Sequence, residues 1–128
     1  MAKKFSILTN PTFTVPVDIP CPGADAISVD FTFKAKDRVE VADFRDRASA
    51  FFTDALAKSE EEKWDNSKWQ KSIADYEISQ LQEIVEGWDF DEPFDDKHLT
   101  AFVRSHKERA SAVISKYLGS IEKAREGN

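Results

Sequence analysis

The sequence contains a single cysteine, Cys21, so no disulfide can form within the chain. A fold without disulfides fits a reducing cytoplasm. Cys21 stands between Pro20 and Pro22, and no basic neighbour is present that would activate a catalytic thiol. The sequence therefore assigns no role to Cys21.

Long apolar runs and an excess of positive charge are also missing. No run approaches the roughly 20 apolar residues of a membrane-spanning helix, and the opening MAKKFSILTNPTF lacks the sustained apolar stretch of a signal peptide. The net charge of −6 has the wrong sign for nucleic acid or an anionic membrane, both of which attract basic surfaces. We therefore expect a cytoplasmic protein whose partners are neither nucleic acids nor membranes.

Patterns typical of catalytic and metal sites are absent. The four glycines stand singly, so there is no phosphate-binding loop. The acidic run from Asp89 lacks the central glycine of a calcium loop, and its twelfth position is Thr100 rather than glutamate. Asp95 and His98, three residues apart, keep a metal-dependent enzyme as one alternative. Because no nucleophile–base pair is evident, we expect a non-enzymatic protein without a cofactor or bound metal.

Two segments near the N-terminus alternate between apolar and polar residues. The alternation predicts strands at about 12–17 and 27–34, paired as an antiparallel hairpin with a loop of roughly nine residues. Pro16 has no N–H to donate, so the first strand is expected at the edge of a sheet. A lone hairpin is marginal in water, so its apolar face must be covered by the helices or by another chain.

After these strands the apolar spacing changes to three and four residues. This spacing predicts amphipathic helices at about 39–58, 73–86 and 96–124. The polar segment 58–72 fits a loop, a helix extension or a mobile linker. With no convincing internal boundary, we expect a single domain over residues 1–128. The predicted fold class is α+β, mainly α, with an N-terminal β-hairpin followed by three helices.

Several side chains have predicted structural roles on these helices. Phe44, Phe51 and Phe52 follow the apolar stripe of the first helix and are expected in the core. Gly87 is expected to close the second helix in a left-handed conformation. Asp95 is expected to cap the start of the third.

An aromatic and acidic turn is predicted between the second and third helices. Three rings lie there, and six acids with no base among them occupy residues 86–96. Trp88 is expected to pack between the two helices, whereas Phe90 and the neighbouring acids have no predicted structural role. The two tryptophans of the polar segment, Trp64 and Trp69, are expected either to pack back on the core or its edge or to anchor an interface, since exposed aromatic side chains are enriched at binding hot spots. The candidate partner-binding residues are Trp64, Trp69, Trp88, Asp89, Phe90, Asp91, Glu92 and Phe94.

The second half of the chain resembles the tail assembly chaperones of long-tailed, lambda-like bacteriophages. The motifs that carry the resemblance are Gly87-Trp88-Asp89 after a helix, Phe94 and Leu99 around the next helix start, Ile114 to Tyr117-Leu118, and Ala124-Arg125 to Asn128. The resemblance covers roughly residues 27–128, and the C-terminal third carries most of it. Members often have an aromatic–proline pair in the last helix, where this chain has Ser105-His106-Lys107.

The resemblance implies a non-enzymatic chaperone that binds and solubilises the tape measure protein and helps recruit the tail tube protein. It also implies self-association around the client, a place in the host cell cytoplasm, and absence from the mature virion. In many such phages a ribosomal frameshift makes an extended form, which is a candidate route to the tail tube protein. A long, helix-forming client fits an apolar groove with acidic rims between amphipathic helices. The alternative is a small structural tail or head-completion protein whose N-terminal strands add to a neighbour's sheet.

Overall fold

The structure, a computed structural model, describes residue 7 and residues 11–123. The described elements, in chain order, are β1 (Thr12–Cys21), β2 (Ala24–Lys34), α1 (Arg38–Glu61), α2 (Asn66–Ile84), β3 (Val85–Trp88), α3 (Asp96–Ser105) and α4 (Arg109–Glu122). The strands form an antiparallel sheet in the order β1–β2–β3, and helices pack against it. The predicted class, α+β and mainly α, is confirmed, but the third strand and the fourth helix are additions to it. The predictions about a signal peptide and about motif residues 124–128 rest on residues outside the described range.

The hairpin is longer, and its turn tighter, than the alternation predicts. Pairing continues to Cys21 opposite Ala24, so the loop is Pro22-Gly23 rather than nine residues. A proline followed by a glycine at positive φ, here 73°, is the pattern of a type II turn. Residues 24–26, which precede the predicted strand, are exposed on both faces, so no alternation marks this part of β2.

β1 is an edge strand, as Pro16 predicts. The N–H of Ala35 donates to the carbonyl of Pro11 at 2.8 Å, which makes the odd-numbered residues of β1 the hydrogen-bonded ones. Pro16 faces Asp30 in a non-hydrogen-bonded pair, so its ring nitrogen points to the open edge. The middle of this edge therefore has no donor to offer to another strand.

The first predicted helix is confirmed as α1, which begins with a capping box at Asp37. Phe44 is buried, and Phe51 stacks on Tyr76 of α2 with the ring centroids 4.0 Å apart. Phe52 is 41% exposed, so its predicted place in the core is wrong. It lies about 100° around the helix from Phe51 and therefore turns away from α2.

The polar segment 58–72 is mostly helical, because α1 continues to Glu61 and α2 begins at Asn66. The helix extension is the alternative that is confirmed, and the predicted start at 73 is wrong. Asp65 caps α2 by accepting the N–H of Lys68 at 2.8 Å. Most of this segment is exposed, so it carries no apolar stripe from which a helix could be recognised.

β3 replaces the last turn predicted for the second helix, 73–86, so the left-handed cap at Gly87 is wrong. Gly87 pairs with Thr32 of β2 in the sheet. Val85 and Trp88 lie opposite two phenylalanines of β2, and both pack on the core. Their spacing of three fits one helix face as well as this bulged strand, so periodicity alone does not separate the two.

The predicted helix 96–124 is divided into α3 and α4 by a break at His106. His106 is extended (φ −164°, ψ 134°), and its ring Nδ1 accepts the N–H of Glu108 at 3.1 Å. The break lets α3 pack on α2 while α4 packs on β1 and α2. His106 falls on the spacing of the apolar stripe, so the stripe continues across the break and conceals it. The predicted cap is confirmed, since Asp95 accepts the N–H of His98 at 2.9 Å.

The core lies between the inner face of the sheet and the helices. Phe31, Phe33 and Tyr117 are among its largest fully buried side chains. The Tyr117 hydroxyl donates to the carbonyl of Lys34 at 3.0 Å, which joins α4 to the end of β2. The hairpin face thus has its cover within this chain.

Two glutamates of α2 lie in opposite environments. Glu83 accepts two hydrogen bonds from Arg47 of α1, at 2.7 and 2.8 Å, which lowers the pKa of Glu83. Glu77 lies on the same helix face as Leu81 and Ile84 and is half-buried. Burial raises the pKa of Glu77 to about 7, from an ordinary value of 4.5. The fold therefore favours a protonated Glu77 and an ionised Glu83.

We expect Glu77→Gln to raise the melting temperature by a few degrees at pH 8 and to have little effect at pH 5. Because the folded-state pKa is raised, the protonated carboxyl stabilises the protein fully below the unfolded pKa of 4.5, and this contribution is lost as pH rises through about 7. Thermal denaturation followed by circular dichroism at both pH values measures the difference. Glu83→Gln is the control and should lower the melting temperature similarly at both, because its lowered pKa places its loss at more acidic pH. Equal effects of Glu77→Gln at pH 5 and pH 8 would contradict this account.

Candidate partner-binding site

The three rings of the predicted turn lie in one aromatic cluster with two rings from elsewhere in the fold. Trp88 is central, with centroids 5.0 Å from Phe90, 5.1 Å from Phe94, 5.5 Å from Phe102 of α3 and 6.1 Å from Phe31 of β2. Several of these contacts are edge-to-face, the arrangement that the ring quadrupole favours. The rings of the turn are half-buried, whereas Phe31 and Phe102 are buried. We call these five residues the ring cluster.

Trp88 and Phe90 differ from their predicted roles. Trp88 packs between the sheet and α3 rather than between two helices, because it belongs to β3 and lies opposite Phe31. Its indole N–H donates to the carbonyl of Glu92 at 2.8 Å and closes the turn. Phe90 is predicted to have no structural role, but it packs edge-on against Phe31 with centroids 6.0 Å apart. The turn therefore has a fixed conformation that rests on the sheet.

A cleft of about 230 Å³ opens beside the ring cluster. Its walls are mainly apolar and are formed by Trp88, Phe90, Glu92, His98, Ala101, Phe102 and Arg109. Pockets for drug-sized ligands are usually ~300–1,000 Å³, so this cleft is better matched to a single side chain of a partner. We call it the ring cleft.

The six acids of the turn separate into two groups. Asp95 caps α3, and its hydrogen bonds from the backbone N–H and the ring of His98 lower the pKa of Asp95. Asp96 accepts a hydrogen bond from Gln82 of α2 at 3.1 Å. The other four carboxylates have no hydrogen-bonding or ionic partner among residues 7 and 11–123, and all four are exposed: Glu86, Asp89, Asp91 and Glu92. Binding of a partner by the last three stays a prediction.

Arg109, at the start of α4, is a residue of this site that the sequence did not single out. Its Nε donates to the carbonyl of Pro20 at 3.0 Å, and its Nη1 donates to Ser105 Oγ at 3.0 Å. Its Nη2 approaches Cys21 Sγ at 3.8 Å, and the guanidinium lies 5.6 Å from the centroid of Phe102. Arg109 thus joins the end of β1 to the α3–α4 break, and Cys21 acts as an acceptor. No local pattern in the sequence indicates the contact with Pro20, which lies 89 residues away along the chain.

Trp64 and Trp69 lie at the far end of α2 from the ring cluster. Their centroids are 6.2 Å apart, and the Trp64 ring lies 5.5 Å from Lys68 Nζ. α2 has 19 residues, so the two places are separated by about 28 Å along the helix. A second groove, of about 560 Å³, opens there between α1 and α2 and is walled by Phe51, Tyr76 and other residues. The candidate partner-binding residues therefore form two separate surfaces.

The metal alternative has little geometric support. Asp95 Oδ1 and His98 Nδ1 are 2.7 Å apart, as expected for a hydrogen-bonded cap. In the described part of the chain, no three His, Cys, Asp or Glu side chains are grouped so that they could hold a metal ion. Over the same residues, no helix has the combined length and apolar character of a membrane span.

A family model described as phage tail assembly chaperone matches residues 1–128, which is the whole chain. No curated protein and no solved structure matches the chain.

We expect Arg109→Lys to lower the free energy of unfolding by about 1–2 kcal/mol, because an ammonium cannot reproduce the fork of donors to Pro20 and Ser105. Urea denaturation measures the change. Arg104→Lys, on the exposed face of α3, is the matched control and should change stability by less than about 0.5 kcal/mol. Equal losses for the two variants would show that the Arg109 contacts contribute nothing to stability.

Proposed function

The chain belongs to the phage tail assembly chaperone family, and from this premise we propose that it binds and solubilises the tape measure protein during tail assembly. In this role it is non-enzymatic and helps recruit tail tube subunits, through an extended form where a frameshift produces one. It acts in the host cytoplasm and is absent from the mature virion. The observation that carries the proposal is the family match over the whole chain.

The ring cleft supports client binding at this end of the molecule. Trp88, Phe90 and Phe94 are only half-buried, so a partner helix could remove more of their surface from water. Tryptophan is enriched among the residues that dominate binding energies. The rings are held by contacts with the sheet and α3, so little side-chain freedom is lost on binding.

We also propose that the chain self-associates, and the apolar flank of α1 supports this. Phe52 is 41% exposed and Leu56, one helical turn further on, is 55% exposed. Neither side chain belongs to the buried core. A second copy of the chain that covers this flank would remove both from water.

The alternative, a structural virion protein that adds strands to a neighbour's sheet, has less support. β1 is the long edge strand that would accept the neighbour, but Pro16 leaves the middle of its open edge without a donor. Mass spectrometry of purified particles distinguishes the two roles, since the alternative requires the chain in the virion.

We expect co-expression with the tape measure protein of the same phage to increase the soluble amount of that protein and to yield a complex that co-purifies. Ala101→Gln should reduce the co-purified amount several-fold, because Ala101 is an exposed residue in the wall of the ring cleft and a longer side chain would obstruct it. Ala50→Gln, at an exposed position of α1, makes the same change away from the cleft and should have no effect. Quantitative gels of the soluble and affinity-purified fractions report both amounts. A tape measure protein that is equally insoluble with and without the chain would overturn the proposed function.

A further inference from the structure

We propose that the ring cleft binds a lysine or arginine side chain carried on an otherwise apolar helical segment of the partner. The identification of that partner as the tape measure protein rests on the proposed function, whereas the chemistry of the cleft does not. Its walls are mainly apolar and include the rings of Trp88, Phe90 and Phe102, and its volume of about 230 Å³ is of the order of one large side chain. An aliphatic stem would pack on the rings while its charged end reached the surface.

The charges around the opening of the ring cleft favour a partner side chain with a positively charged end. Asp89, Asp91 and Glu92 are exposed in the turn that borders the ring cleft, and none has an ionic partner among the described residues. Arg109 in the walls also carries a charge without an ionic partner among the described residues, because its acceptors, the carbonyl of Pro20 and the hydroxyl of Ser105, are neutral. The three carboxylates outnumber this guanidinium, so the balance of charge around the opening is negative, which favours a cation and repels an acidic segment.

The aromatic walls are also suited to a cation. The guanidinium of Arg109 already lies 5.6 Å from the centroid of Phe102 on one side of the ring cleft. Trp88, another residue of the walls, has the ring type that binds cations most strongly. Its N–H is occupied by the carbonyl of Glu92, so the ring surface is what it offers to a partner.

The groove between α1 and α2 lacks this preference. Its walls include Asp54 and Asp75 together with Lys58 and Lys68, so two negative and two positive side chains line it. The net charge of this groove therefore gives no preference between a basic and an acidic side chain of a partner. The ring cleft is therefore the surface whose charge specifies the class of side chain that binds.

The test uses two synthetic amphipathic peptides, identical except that two arginines bordering the leucine stripe of one are glutamines in the other. Binding is followed by the fluorescence of Trp88 in a Trp64→Phe/Trp69→Phe background whose fold is checked by circular dichroism. We expect the arginine peptide to bind about tenfold more tightly at low ionic strength, with the preference shrinking as salt is added. Equal binding of the two peptides, or binding of neither, would overturn the proposal.

Variants that remove charge test whether the preference for the arginine peptide arises at the ring cleft. The triple variant Asp89→Asn, Asp91→Asn, Glu92→Gln keeps every ring and should abolish the preference for the arginine peptide. The matched control Asp46→Asn, Glu60→Gln, Glu61→Gln removes the same charge from exposed positions of α1 and should bind within about twofold of the parent protein. An equal loss of the preference in the control would show that the net charge of the whole protein causes it, and would overturn the assignment of the preference to the ring cleft. The peptides contain no tape measure sequence, so this result and the co-expression result fail independently.

Discussion

The apolar face of the small sheet must be buried, and the side chains that bury it converge on Phe31. This side chain is fully buried at the centre of β2, and rings from β3, the following turn and α3 pack directly on it. α2 has to end at Ile84 so that β3 can pair with β2 and bring Trp88 over Phe31. A hairpin alone is marginal in water. The ring cluster thus buries this part of the apolar face of the sheet. The cluster is open to solvent on one side, where the ring cleft lies.

The sequence predicted those elements whose two faces differ and missed those whose faces do not. The alternation in β2 and the stripe of α1 were readable because each buries one face and exposes the other. The predicted start of α2 lies too far along the chain, because the first half of this helix is largely exposed and shows no apolar stripe. The pattern does not reveal β3, because four residues are too few to establish a period. The break at His106 was invisible to periodicity, although it falls where members of the family often have an aromatic–proline pair.

At the candidate site, local rules were reliable and longer-range roles were not. The cap at Asp95 depends on neighbouring residues and was predicted correctly. The packing of Phe90 on Phe31 and the contact of Arg109 with Pro20 depend on residues far apart in sequence, so no local pattern indicated them. The structure divides the acids of the turn into two groups. Asp95 and Asp96 make hydrogen bonds at the start of α3, whereas Asp89, Asp91 and Glu92 have no ionic partner among the described residues and lie in the turn beside the ring cleft. Family membership supplies the biological setting, and this charge arrangement supports the proposed mode of recognition.

The central claim is that the client is bound at the ring cluster and not at the distant tryptophan pair. Hydrogen–deuterium exchange of the chain, alone and in complex with the tape measure protein, tests it most directly, because it reports protection along the whole backbone. The account predicts slower exchange in the complex over the turn and α3, residues 88–105, with residues 62–70 around Trp64 and Trp69 unchanged. Protection confined to the groove between α1 and α2, with the turn exchanging as in the free protein, would contradict it.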